Sequence, residues 1–159
     1  LASGDAVTVL PWDPDLDAVL LVEQLRAGPV ARRDPQPWSL EAIAGRCDGL
    51  ESCGAAARRE AREEAGLDLG RLERISGYYP TPGTSAEFIT SFVGEAGLGR
   101  AGGIHGLPEE QEDIRAIVVE RAIAMDAITR GEINNAPLVL SLYWLTANVD
   151  LLRDLWRLA

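Results

Sequence analysis

Apolar and polar positions fall along this chain in short blocks whose spacing predicts an alternation of strands and a few helices. "AVTVLPWDP" (6–14) and "AVLLVEQLR" (18–26) are rich in Val and Leu and are separated by a Pro/Asp turn, which predicts a β-hairpin. Prolines and charges mark 27–37 as a loop, and "WSLEAIAG" (38–45) reads as one further strand, with Gly45 beginning a turn. Ser52 is placed to cap a helix over 53–65 that Gly66 ends. Strands are expected at 71–80 and 87–96 around the turn "TPGTS", and a Gly-rich, then acidic, loop at 97–112. A strand at 113–120 and helices at 121–130 and 137–158 complete the pattern. Strands mixed with few helices, without a regular βαβ rhythm, predict an α/β sandwich around a mixed sheet.

Composition narrows the chemistry more than the fold. The 159 residues, 47% apolar and 25% charged, suit one domain with its own core. The formal net charge is −10, and all 15 basic residues are arginine. Such a surface repels nucleic-acid phosphates and anionic lipid. A small anion remains a partner if metal ions stand between it and the carboxylates. The most apolar run (137–156) is interrupted by Asn148, Asp150, Arg153 and Asp154, short of the ~20 apolar residues a membrane span needs. It is expected to be a helix packed on the core or on a second subunit. Cys47 and Cys53 are the only cysteines, which predicts a reducing cytoplasm and small-residue packing. His105 is the only histidine, and its flanking glycines point to loop packing. Catalysis must therefore rest mainly on carboxylates.

"RREAREEAGL" (58–67) supplies them. Glu60, Glu63 and Glu64 share one helical turn, where like charges cost about 0.2–0.5 kcal/mol per pair. A solvated face with arginine partners is the plain explanation, and Arg59 can meet Glu63 four residues on. Glu60, however, has Glu64 at that spacing. The cluster also follows the Gly-rich turn "GRCDGLES", which brings backbone carbonyls close to the helix start. Clustered oxygens of this kind suit a hard cation such as Mg²⁺ or Mn²⁺.

From Gly45 to Leu67 the chain reads "GRCDGLESCGAAARREAREEAGL", which resembles the Nudix box. Gly45, Glu51, Arg59, Glu60, Glu63, Glu64 and Gly66 fit its seven fixed positions, and Ala61 fills the aliphatic one. At ordinary residue usage, chance produces such a match in roughly one chain in a million. The resemblance implies a Nudix fold, an α/β/α sandwich with a mixed sheet. It also implies a loop–helix–loop that binds two or three divalent cations and cleaves a nucleoside diphosphate linked to another group. Carried over, Glu60, Glu64 and the Ala44 carbonyl are metal ligands with Glu63 close by, and Glu51 pairs with Arg59 to aim the helix.

"LLVEQLR", "PWSLEAIAG", "TPGTSAE", "GIHGLPEEQEDI" and "GEINNA" extend the resemblance over nearly the whole chain, toward the ADP-ribose pyrophosphatases. Pro82, 15 residues after Leu67, is that subfamily's marker. The resemblance implies that Arg26 touches the nucleotide half of the substrate; a strand-end salt bridge is its structural alternative. Arg46 contacts substrate, Thr81, Pro82 and Gly83 line the pocket, and Glu87 faces the terminal ribose. A plain Pro-Gly turn is the alternative for Thr81 to Gly83. In the acidic loop, Glu110 is the general base and Glu112 a further metal ligand. The expected reaction is Mg²⁺-dependent (Mn²⁺ substituting) hydrolysis of ADP-ribose to AMP and ribose 5-phosphate. Another nucleoside diphosphate sugar such as GDP-mannose, or a non-catalytic ADP-ribose sensor, is the rival. The chain is expected to be a single domain over 1–159, working as a homodimer. Relatives carry an N-terminal β region that this chain, starting at Leu1, is expected to lack.

Overall fold

The computed structural model describes residues 4–47, 49, 51–106 and 113–157. Glu110 and Glu112, with the rest of 107–112, lie outside the described residues. Among those described, no helix is long and apolar enough to cross a membrane.

The first two blocks form the hairpin, β1 (Ala6–Asp13) and β2 (Ala18–Leu25). Its turn is built by Asp13, whose Oδ1 accepts the Asp15 and Leu16 N–H groups at 3.0 and 3.1 Å. Asp17 closes it in the left-handed region at φ 48°, a conformation an Asp tolerates. Its carboxylate accepts from Trp12 Nε1 at 3.1 Å and from both arms of Arg121 at 2.9 and 2.7 Å.

Alternation in these strands explains the layers. Val7, Val9, Leu20 and Val22 enter one buried cluster, while Leu10, Trp12, Val19 and Leu21 enter another on the opposite face. Strands apolar on both faces must be covered on both. The first face is covered by α2 (Cys53–Ala65) and the second by α3 (Arg121–Thr129) and α4 (Ala136–Arg157). Helix α4 buries Leu138, Leu142, Leu145, Val149, Leu152 and Trp156 along one stripe, each large side chain contributing about 1.5–3 kcal/mol. It packs on the core, as one of the two expectations had it.

The sheet runs β5-β6-β1-β2-β8-β7, with β5 (Leu72–Tyr78), β6 (Ile89–Glu95), β7 (Gly103–His105) and β8 (Ile114–Glu120). The β1–β6 pair is parallel and the others antiparallel, so the sheet is mixed as expected.

Three local expectations need correction. The loop at 27–37 begins with a short helix, α1 (Ala27–Arg32). Pro29 is accommodated because it lies in the first turn, where its missing N–H has no intrahelical use. The single strand at 38–45 is two, β3 (Trp38–Glu41) on β2 and β4 (Ile43–Arg46) on β1. The chain changes partner at Ala42, and Gly45 continues the strand rather than beginning a turn. Within the Gly-rich loop, 103–105 pairs with β8 as β7.

Candidate active site

Helix α2 is set down against the sheet by its smallest residues. Ala56, Ala57 and Ala61 are fully buried and Ala65 nearly so. The Ser52 hydroxyl caps the start, accepting the Ala55 N–H at 3.2 Å. Gly66, at φ 62°, ends the helix with its N–H on the Arg62 carbonyl, while Leu67 N–H reaches Ala61.

That close approach puts the acidic face over β4. A Cβ on Gly45 would lie 1.8 Å from Glu60 Oε1, so the Glu60 side chain occupies the space that glycine leaves open. Glu64 is buried, 3% exposed, with Oε2 accepting the Ala44 N–H at 3.3 Å and Oε1 3.5 Å from Gln24 Nε2. The two carboxylates therefore meet neighbouring residues of β4, Glu60 at Gly45 and Glu64 at Ala44. Glu63 sits to one side, paired with Arg59 at 2.9 Å.

Arg59 joins the whole turn. Its guanidinium donates to Glu51 at 2.9 Å, Glu60 at 2.7 Å, Glu63 at 2.9 Å and the Arg46 carbonyl at 3.2 Å. The Glu51 hydrogen bond, then those of Glu60 and Glu63, raise its pKa above the ordinary arginine value. The Glu51–Arg59 pairing read from the sequence is present. Among the described residues, no group of three or more His, Cys, Asp or Glu side chains is arranged to hold a metal ion. Arg59 is the cation paired with Glu51, Glu60 and Glu63. Hard oxygen donors from Glu60, Glu64 and the Ala44 carbonyl suit Mg²⁺ in kind.

Beside β4 lies a cavity of about 390 Å³ lined by Thr8, Glu41, Ala44, Gly45, Arg46, Pro80, Glu87 and Asn135, among others. Of the expected substrate residues, Arg46 and Glu87 line it. Arg26 makes the alternative salt bridge, a two-pronged contact to Glu41 at 2.9 and 2.8 Å, and thereby holds a cavity-lining carboxylate. Thr81, Pro82 and Gly83 form an exposed turn, closed by the Thr84 and Ser85 N–H groups on the Thr81 carbonyl at 3.0 Å, and Pro80 supplies that wall.

Sequence reasoning missed three polar lining residues. Glu41, 7% exposed, lies inside a segment recognised only for its outline. Asn135 comes from "GEINNA", noticed but given no role; its Oδ1 caps α4 by accepting the Leu138 N–H at 3.2 Å. Thr8 shares a 2.6 Å hydrogen bond with buried Ser91, which Tyr78 OH meets at 3.0 Å. His105 packs as expected, its Nε2 3.2 Å from the Gly102 carbonyl.

Comparisons with known proteins bear on the family and the fold. The chain is 41% identical over 155 residues to the ADP-ribose pyrophosphatase of Escherichia coli K12, covering 96% of this chain and 73% of that protein. It is 40% identical over 161 residues to the Haemophilus influenzae ADP-ribose pyrophosphatase, covering 99% and 73%. A GDP-mannose pyrophosphatase of Salmonella paratyphi B is 30% identical over 142 residues, covering 89% and 73%. A crystal structure described as an ADP compounds hydrolase superposes with a TM-score of 0.74 at 21% identity, over 92% of this chain and 72% of that one, which shows a shared fold. The NUDIX domain matches residues 2–140, and with that span and these identities the chain belongs to the NUDIX domain family.

Proposed function

We propose that the protein hydrolyses the diphosphate of ADP-ribose to AMP and ribose 5-phosphate. The observation that carries this is the meeting of Glu60 and Glu64 on Ala44–Gly45 at the wall of a cavity able to hold a small ligand. The 40–41% identity to two ADP-ribose pyrophosphatases supports this substrate over GDP-mannose, whose pyrophosphatase is 30% identical.

Two or three Mg²⁺ ions, or Mn²⁺ in their place, would be held by Glu60, Glu64, Glu112 and the Ala44 carbonyl with Glu63 adjacent, and would neutralise phosphate charge and activate water. The chain's own residues divide the remaining work. Glu110 takes the proton of the attacking water while the phosphoanhydride oxygen leaves with its electron pair. Glu51 and Arg59 hold the helix so that its carboxylates face β4. Arg46 and Glu87 orient the substrate from the cavity wall, which also carries Glu41, fixed by Arg26. Thr81, Pro82 and Gly83 form the rim.

The protein is further proposed to be a cytoplasmic homodimer. Large apolar side chains exposed on α3 and α4 (Ile123, Tyr143, Leu151 and Leu155) support a subunit contact there. The deciding experiment incubates the protein with Mg²⁺ and a panel of nucleoside diphosphate sugars and follows products by chromatography. AMP from ADP-ribose, with GDP-mannose at least ~10-fold slower in kcat/KM, is the expected result. Faster turnover of GDP-mannose would transfer the assignment, and binding without product would make the protein a sensor.

A further inference from the structure

The two cysteines have no part in the chemistry above, yet they flank the loop that leads into α2. Cys47 follows β4 directly and is fixed there by its N–H on the Asp5 carbonyl at 2.9 Å. Cys53 is the first residue of α2, held by the Ser52 cap. Both thiols are free and half-buried, and their Sγ atoms stand 3.0 Å apart. A disulfide needs about 2.05 Å, so roughly 1 Å of approach separates contact from bond. Each sulfur is carried by a residue anchored to regular structure, so little ordering remains to be done when the bond forms.

We propose that Cys47 and Cys53 are an oxidative modification site, a dithiol that a low-molecular-weight disulfide converts to an intrachain bond tying the end of β4 to the start of α2. The enclosed loop carries Glu51, the partner of Arg59, so the bond clamps the support of the acidic turn without drawing on its carboxylates.

The chemistry proceeds by two exchanges. Cys53 sulfur, as thiolate, attacks one sulfur of the small disulfide; that S–S bond breaks and one small thiol leaves, taking a proton. Cys47 then gives its proton to solvent and attacks Cys53 Sγ, expelling the second small thiol. Two protein thiols are oxidised and one small disulfide is reduced to two thiols. Burial foremost, then the hydrogen bond to Cys53, pushes the Cys47 thiol up to about 12 in the reduced chain, so the first attack is assigned to Cys53.

The test treats the reduced chain with oxidised glutathione in EDTA, under argon, so that metal and hydrolysis play no part. Intact mass is expected to fall by two hydrogens, both free thiols to disappear, and a non-reduced digest to join the Cys47 and Cys53 peptides. The melting midpoint should rise by about 4–8 °C. Cys47→Ser should stop at a glutathione adduct without that rise, and Cys53→Ser should form neither the bond nor the rise. A wild-type product that remains a glutathione adduct, or that crosslinks two chains, overturns the proposal. So does an intrachain bond that leaves the midpoint unchanged. Loss of the hydrolase assignment would leave these readouts untouched.

Discussion

Replacing Arg59 with alanine tests the electrostatic account of the acidic turn most directly. The side chain is 39% exposed and closes three ion pairs, at 2.9 Å to Glu51, 2.7 Å to Glu60 and 2.9 Å to Glu63. Pairs so open to solvent contribute about 0.2–1 kcal/mol each, and the three share one cation, so their sum is nearer 1 than 3 kcal/mol. Removing the cation also uncovers repulsion among the carboxylates, about 0.2–0.5 kcal/mol per pair. Together these give a loss of about 1–2.5 kcal/mol, or about 3–8 °C in melting midpoint for a domain of this size. Thermal denaturation followed by circular dichroism in EDTA is the assay, repeated with saturating Mg²⁺. The variant should melt lower in EDTA and gain less from Mg²⁺ than the wild type, since the carboxylates that would hold the ion lose the contact that positions them. A variant that melts within about 1 °C of the wild type in EDTA would refute the claim that Arg59 neutralises this turn.

Three further outcomes are expected. Gly45→Ala places a Cβ 1.8 Å from Glu60 Oε1, so Glu60 must swing off β4. Mg²⁺ affinity measured by titration should drop about 10–100-fold, with a fall of about 1–4 °C in melting midpoint as the Glu60–Arg59 pair is lost. Glu110→Gln should cut kcat about 10²–10⁴-fold while ADP-ribose affinity by calorimetry is retained, and near-normal turnover would remove Glu110 from its role. Asp17 is held below its usual pKa by the Arg121 hydrogen bond foremost, burial opposing. Its stabilisation is therefore fully present above the unfolded value of about 4 and is lost as pH falls through the depressed folded value. Asp17→Asn keeps the left-handed turn, so stability should differ from the wild type by about 0.5–1 kcal/mol at neutral pH, the exposed third of the side chain discounted, and converge with it in acid.

What the sequence made legible was whatever depends on neighbours in the chain. Helix α2 begins after Ser52 and stops at Gly66 as read, because a hydroxyl cap and a left-handed glycine act within a few residues. The Glu51–Arg59 pair was legible only through the resemblance to the Nudix box, since Glu51 lies ahead of the helix and spacing alone does not bring the two together. The division of 38–46 at Ala42 was not, because it depends on β2 and β1 competing for one segment, and both halves have the same β-like composition. Strand β7 was hidden by glycines, which carry no side-chain pattern to read. Asn135 reaches the cavity from a segment distant in sequence from α2, and Glu41 from a strand on which no local pattern marks it. The 3.0 Å approach of the cysteine sulfurs likewise depends on where β4 and α2 come to rest.

The partner exchange at Ala42 bears on how this architecture acquires new substrates. A strand that leaves one neighbour for another opens a fork in the sheet, and the hollow lies beside that fork. Substitutions at its lining, such as Thr8, Glu41 or Asn135, can retune what fits while Ala44 and Gly45 stay in register with β1. Selectivity and cation chemistry can thus drift apart, one residue at a time, without the enzyme having to be rebuilt.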